Sequence, residues 1–354
     1  MTRSHLLAVV LGLATATALA ACSGTDAPAD DDTPGPTADT SAPVADPDPP
    51  TTASGELTIG LTYTPDVQFA PFYVAAEAGY YEESGVDVTL RHHGASESLF
   101  GALEAGEEDV VVAGGDEMLQ ARSQDVPVTS VATLYQDYPV VLIVPEESDI
   151  TTAADLAGRS VGIPGPFGET YFGLLVLLAE AGLSEDDVDV EHIGFTQQAA
   201  LTAGHVDAVM GFVNNDVVRF AEAGTDVRHL PLTDSGDVPL VGIGLGVHDD
   251  VLADQEDAVR AVAEATLRGV EDVLADPEAA LEISAQHVPG LDAGSAAALA
   301  TLEATAELYR AEDGAVGQVD PDAWQEMADF METHGLLGGP VDVEEALAAD
   351  LLAR

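Results

Sequence analysis

The 354-residue chain contains no lysine: its ten cationic side chains are all arginine, set against 64 aspartates and glutamates, and the formal charge is −54. Without lysine there is no Schiff-base chemistry and no Walker A phosphate loop. Ten dispersed arginines cannot offset the repulsion of a phosphate backbone, so nucleic acid is excluded as a partner. Cysteine occurs once, at Cys22, which rules out an internal disulfide and a thiolate metal site. The only adjacent histidines are His92 and His93, which would point to opposite faces of a strand, so no metal site is expected. What is present is a chain that is 46% hydrophobic with regular apolar periodicity, enough for a large core. So acidic a surface fits a salt-adapted or high-GC source, where counterions screen self-repulsion.

Arg3 and His5 precede an apolar run from Leu6 to Ala21 that is too short, and too interrupted by Gly12, Thr15 and Thr17, to span a membrane comfortably. It reads as a secretory signal over residues 1–21. The run ends Leu19-Ala20-Ala21-Cys22, which resembles a bacterial lipobox. A lone thiol is often just a small buried residue, but at the end of a signal it reads as a lipidation site, with the bilayer as partner. Residues 23–54 hold seven Pro, seven Asp and only Val44 as a larger aliphatic. Nothing there repays the entropy of folding. Residues 22–54 are therefore read as a lipidated tether, roughly 100 Å long if fully extended as polyproline.

From Leu57 onward strand-like and helix-like segments alternate, which is the α/β pattern. Strands are expected at 57–61, 86–91 and 109–113, with helices at 70–83 and 96–105. The order recurs about 100 residues later, with strands at 160–163, 188–193 and 207–212 and helices at 171–181 and 197–203. Ala102 to Val111 and Ala200 to Val209 both read A-L-x-A-G-x-x-D-x-V. Each is a helix closed by a glycine, then a polar turn and a buried strand. Two copies in register predict two similar lobes, 55–143 plus 243–354 and 144–242, joined by crossings near 140–145 and 240–247. Helices over 255–274, 278–286, 297–310 and 322–333 would wrap the first lobe. Ligands of parallel α/β sheets sit outside the carboxyl ends of the strands, so the two lobes should face one another across a cleft.

The stretch Tyr63-Thr64-Pro65-Asp66-Val67-Gln68-Phe69-Ala70-Pro71-Phe72-Tyr73-Val74-Ala75, then Gly79-Tyr80-Tyr81, Gly114-Gly115-Asp116-Glu117 and Asn214-Asn215-Asp216, resembles the solute-binding lipoproteins of bacterial ABC importers for thiamine-precursor pyrimidines or riboflavin. The resemblance covers residues 56 to 250. It implies a type II periplasmic-binding fold, related to nitrate- and sulfonate-binding proteins and to the fungal pyrimidine synthase. It also implies a monomer held at the outer face of the bacterial membrane, with an ABC permease and ATPase as partners. The ligand it implies first is a pyrimidine of the hydroxymethylpyrimidine type, with riboflavin as the alternative. The fungal synthases depend on pyridoxal phosphate held by lysine and on a cysteine-rich iron site. This sequence supplies neither, so no enzyme activity and no cofactor are expected.

The loops after each strand give the candidate site. The first lobe offers Tyr63, Asp66, Gln68 and Phe69, then His92 and His93, then Asp116 and Glu117, then Tyr135, Gln136 and Tyr138. The second offers Pro164, Phe167 and Tyr171, then Thr196, Gln197 and Gln198, then Asn214, Asn215 and Asp216. The binding set is expected to be Tyr63, Gln68, Phe69, Asp116, Glu117, Tyr135, Gln136, Phe167, Tyr171, Gln197, Asn214, Asn215 and Asp216. Phe72 is assigned to the core, and Asp116 has helix capping as its structural alternative. No arginine lies in these loops, which disfavours an anionic ligand. A flat nitrogen heterocycle suits rings that stack and amides and carboxylates that read its edge. Enzyme motifs fail: Gly94-Ala95-Ser96-Glu97-Ser98 lacks the final glycine of a nucleophile elbow, and Gly162 to Gly168 misses dinucleotide spacing.

Overall fold

The computed structural model describes residues 55–94, 97–310 and 316–352. The leader, Cys22, the tether and Ser96, the expected first residue of one helix, lie outside the described residues.

The first part of the chain runs β1 (Gly55–Leu61), α1 (Ala70–Glu77), α2 (Tyr80–Ser84), β2 (Val86–His92), α3 (Gly101–Glu104), β3 (Val110–Gly114), α4 (Gly115–Arg122) and β4 (Val128–Thr133). A second run follows: β5 (Val140–Pro145), β6 (Ser160–Ile163), α5 (Gly168–Glu180), β7 (Asp189–His192), α6 (Gln197–Thr202), β8 (Ala208–Phe212), α7 (Asp216–Glu222) and β9 (Val227–Leu230). The chain then returns through β10 (Ile243–His248) to α8 (Asp249–Ala275), α9 (Pro277–His287), α10 (Ala296–Leu308) and α11 (Pro321–Thr333). The expected single helix over 70–83 is two helices, because Gly79 takes the left-handed conformation (φ 77°) and breaks it.

The strands form two five-stranded sheets of matching order, β2-β1-β3-β10-β4 and β7-β6-β8-β5-β9. In each, one strand opposes the rest: β10 is antiparallel to β3 and β4, and β5 is antiparallel to β8 and β9. A strand arriving from the other sheet starts at the cleft edge and must run away from it. Val140–Ile143, counted with the first lobe on sequence, pair with β8 in the second sheet.

The repeat has one structural meaning in both copies. Gly106 and Gly204 turn the chain at φ 67° and 68°. Asp109 and Asp207 then each place a carboxylate oxygen on the backbone N–H of Thr58 or Ser160, at 2.7 and 2.9 Å. Thr58 lies in β1 and Ser160 begins β6, the second strand of each sheet. The same aspartate therefore fixes strand register twice. β3, β4 and β5 are buried almost throughout, as strands covered on both faces should be. Helices α1 and α8 cover the first sheet with Phe72, Tyr73, Val259 and Val262, while α5 covers the second with Phe172, Leu174 and Leu177.

Candidate functional site

The carboxyl ends of β1, β6 and β7 carry the exposed large hydrophobic side chains of the described residues. Tyr63, Phe167 and Phe195 are 36%, 55% and 70% exposed. These apolar rings form a rim at the strand ends of both sheets, the side on which ligands of parallel α/β sheets sit.

Beneath the rim the sheets meet at a seam of acids. Asp116 and Glu117 open α4 on the first sheet, and Glu169 opens α5 on the second. Tyr138, in the crossing between β4 and β5, joins them: its hydroxyl donates to Asp116 Oδ2 at 2.6 Å and lies 3.1 Å from the Glu169 carbonyl oxygen. The fit is close in both directions. A Cβ on Gly114 would lie 3.1 Å from Glu169 Oε1, and one on Gly168 would lie 3.2 Å from Glu117 Oε1. Glu117 Oε2 accepts from Gly114 N at 3.2 Å and Asp116 Oδ1 from Glu117 N at 2.7 Å, but Glu169 Oε1 is buried with no partner. Burial raises all three carboxyls, Glu117 to about 7, and mutual repulsion raises Asp116 and Glu169 further. The helix N-termini at α4 and α5 favour anions there, yet burial outweighs them.

Three other arrangements cross or floor the cleft. Asp66 Oδ2, on the turn before α1, lies 4.0 Å from Arg219 on α7, so one cation does reach the cleft. Burial raises Asp66 although Gln68 N and Arg219 pull it down. Asn214 is wholly buried, with its Nδ2 donating to Thr305 Oγ1 of α10 at 2.9 Å and to Tyr135 Oη at 3.4 Å, while its Oδ1 has no partner. His92 Nε2 pairs with Tyr73 Oη at 2.9 Å, and burial lowers its pKa. His93 is buried on the other side against Glu108.

The expected binding residues thus divide. Tyr63 and Phe167 stand on the rim, Asp116 and Glu117 in the seam, and Asn214 with Tyr135 between the lobes. Asn215 occupies the N-cap of α7 without a side-chain cap bond. Gln197 is buried at the start of α6. Gln68 lies on the turn before α1, where its carbonyl faces the Tyr309 hydroxyl at 3.5 Å. Four others are engaged in structure. Phe69 is buried edge-on to Phe72 and His92. Gln136 folds its amide back onto Thr133 O at 2.8 Å. Tyr171 turns its hydroxyl to Glu185, beyond the end of its own helix. Asp216 accepts from Phe212 N at 2.9 Å. The loop inventory passed over Glu169, Phe195 and Arg219. Glu169 carried a signal, since Gly168-Glu169 repeats the glycine-acid helix start of Gly115-Asp116, whereas Arg219 sits inside a helix.

Residues 66–280 match the NMT1/THI5-like family. Riboflavin-binding protein RibY of Chloroflexus aurantiacus is 34% identical over 328 residues, covering 90% of this chain and 92% of that protein. Formylaminopyrimidine-binding protein of Halalkalibacterium halodurans is 25% identical over 293 residues, covering 82% and 88%. The periplasmic aliphatic sulphonate-binding protein SsuA of Escherichia coli superposes with a TM-score of 0.68 at 18% identity, over 82% of this chain and 91% of that one, and so shares the fold. With two sheets of matching order and this match over most of the folded residues, the chain belongs to the NMT1/THI5-like family.

Proposed function

We propose that the protein is the solute-capturing component of an ABC importer, tethered outside the cell membrane through Cys22, and that it closes its lobes over a flat nitrogen heterocycle. One observation carries the reading: Tyr63, Phe167 and Phe195 stand exposed at strand ends of both sheets, so closure brings aromatic faces onto a planar ligand. Ligand contacts made from both lobes favour the closed state. Riboflavin is taken as the first candidate, supported by the relative named for it at 34% identity. A pyrimidine, expected first from the sequence, stands beside it, supported by the relative named for formylaminopyrimidine at 25%. A synthase activity is not proposed, although relatives at 24% and 27% identity are named 4-amino-5-hydroxymethyl-2-methylpyrimidine phosphate synthase, because the chain has no lysine and only Cys22 as thiol.

The test is a titration of riboflavin fluorescence with the purified protein, beside a melting-temperature screen that includes hydroxymethylpyrimidine. A true ligand at 100 times its dissociation constant stabilises by about 2.7 kcal/mol. Quenching that saturates at one equivalent supports the riboflavin reading; no quenching together with a shift by the pyrimidine selects the second ligand, and neither response refutes the heterocycle.

A further inference from the structure

Among the described residues four buried side-chain polar atoms have no partner: Glu169 Oε1, Asn214 Oδ1, Thr233 Oγ1 and Trp324 Nε1. The first two lie at the cleft, and both are acceptors. They are linked through the crossing, since Asn214 bonds Tyr135 and, three residues on, Tyr138 bonds Asp116 and the Glu169 carbonyl. The groups facing Glu169 are Asp116 and Glu117 from α4 and Tyr138 and Tyr135 from the crossing, with no arginine or lysine among them. Buried acceptors without donors are costly, and a fold keeps them where a ligand completes them.

We infer that the seam of Asp116, Glu117 and Glu169, with Asn214 beside it, recognises hydrogen-bond donors of the ligand and rejects its phosphorylated or otherwise anionic forms. Hydroxyl, imide N–H or amino groups satisfy both unpartnered oxygens, whereas a phosphate would be buried among carboxyls with no arginine or lysine facing it, and a buried charge without a partner is strongly disfavoured. Glu169 is then the specificity-determining residue from the second lobe. Its burial makes it a burden on the empty protein, so its value lies in binding. This inference rests on the heterocycle reading for its probes but not for its outcome.

Two pairs of probes are titrated into the full chain, riboflavin against riboflavin 5′-phosphate and hydroxymethylpyrimidine against its phosphate, with taurine and nitrate as simple anions. The expected result is that the unphosphorylated member of the binding pair is preferred by at least about 100-fold. Glu169→Ala should weaken that member at least tenfold while leaving the ligand-free melting temperature unchanged or higher, a combination that a structural role would not give. Glu169→Gln, which keeps an acceptor at the same place, should retain the ligand. Equal affinity for both members of a pair, or full affinity in Glu169→Ala, overturns the inference and leaves the heterocycle reading standing. If no heterocycle binds, that reading alone falls, and the anions decide the seam: a shift by taurine or nitrate overturns it, and none agrees with it.

Discussion

Raising the pH should weaken the ligand-free protein across a range in which most carboxylate-rich proteins gain stability. The group to follow is Glu117, held by burial at about 7 instead of its ordinary 4.5. A folded pKa above the unfolded one means that the folded state binds more protons between these values, so stability is complete below about 4.5 and is lost as pH rises through 7. The shift corresponds to about 3 kcal/mol. Asp116 and Glu169 are raised as well, but the three carboxyls face each other and titrate as a unit, so a single contribution is counted. At roughly 2 to 4 °C per kcal/mol for a body of this size, the melting temperature should fall by about 6 to 12 °C between pH 5 and pH 8. Scanning calorimetry at several hundred millimolar salt is the assay, because the charge of −54 otherwise adds its own repulsion. The variant Glu117→Gln should be markedly flatter over the same range. A wild-type curve that stays level or rises from pH 5 to 7.5, or a Glu117→Gln curve with an undiminished slope, would refute the account of the seam.

Other expectations follow from single contacts. Asn214→Ala should cost about 1 to 3 kcal/mol in denaturant unfolding, since it strips Thr305 of a buried partner, whereas Asn215→Ala should stay within about 0.5 kcal/mol because its side chain makes no cap bond. The double variant should also bind the ligand at least tenfold more weakly in fluorescence titration. Arg219→Ala removes the ionic contact to Asp66 and should give a larger radius of gyration in solution scattering at near-unchanged stability, the pair being partly exposed. Gly269→Ala should lower stability by about 1 to 3 kcal/mol in chemical denaturation, because a Cβ on α8 there would strike the backbone carbonyl of Pro71 in α1. Cys22→Ser, expressed in a bacterial host, should leave the membrane fraction and appear in soluble extracts or medium, and retention at the membrane would sink the anchoring proposal.

What sequence revealed was whatever depends on neighbours in the chain. The joint from Ala102 to Val111 and its copy from Ala200 to Val209 are local, and their aspartates do the same work on both sheets. Tyr63 and Phe167 were found because they follow strands. Glu169 was not, because the groups that define its role, two acids on α4 and Tyr138 in a crossing, are distant in sequence. Asn214 was placed at the cleft, but Thr305, 91 residues further on, is what fixes it. The loops after the strands hold no arginine, yet Arg219 comes within 4.0 Å of Asp66 from within α7, where a reading of loops does not look.

The placement of β10 bears on how the molecule is made. The second sheet is built from one uninterrupted stretch of chain, Val140 to Leu230, and can assemble as soon as that stretch is available. The first cannot, because β10 lies between β3 and β4 and arrives only after the whole second sheet has been threaded. Until Ile243–His248 emerges, β4 has no neighbour and the edge of β3 is open. A chain that emerges N-terminus first therefore completes its middle before its beginning, and the interval before β10 is when an exposed, strongly apolar β3 is most vulnerable to mispairing and to proteases.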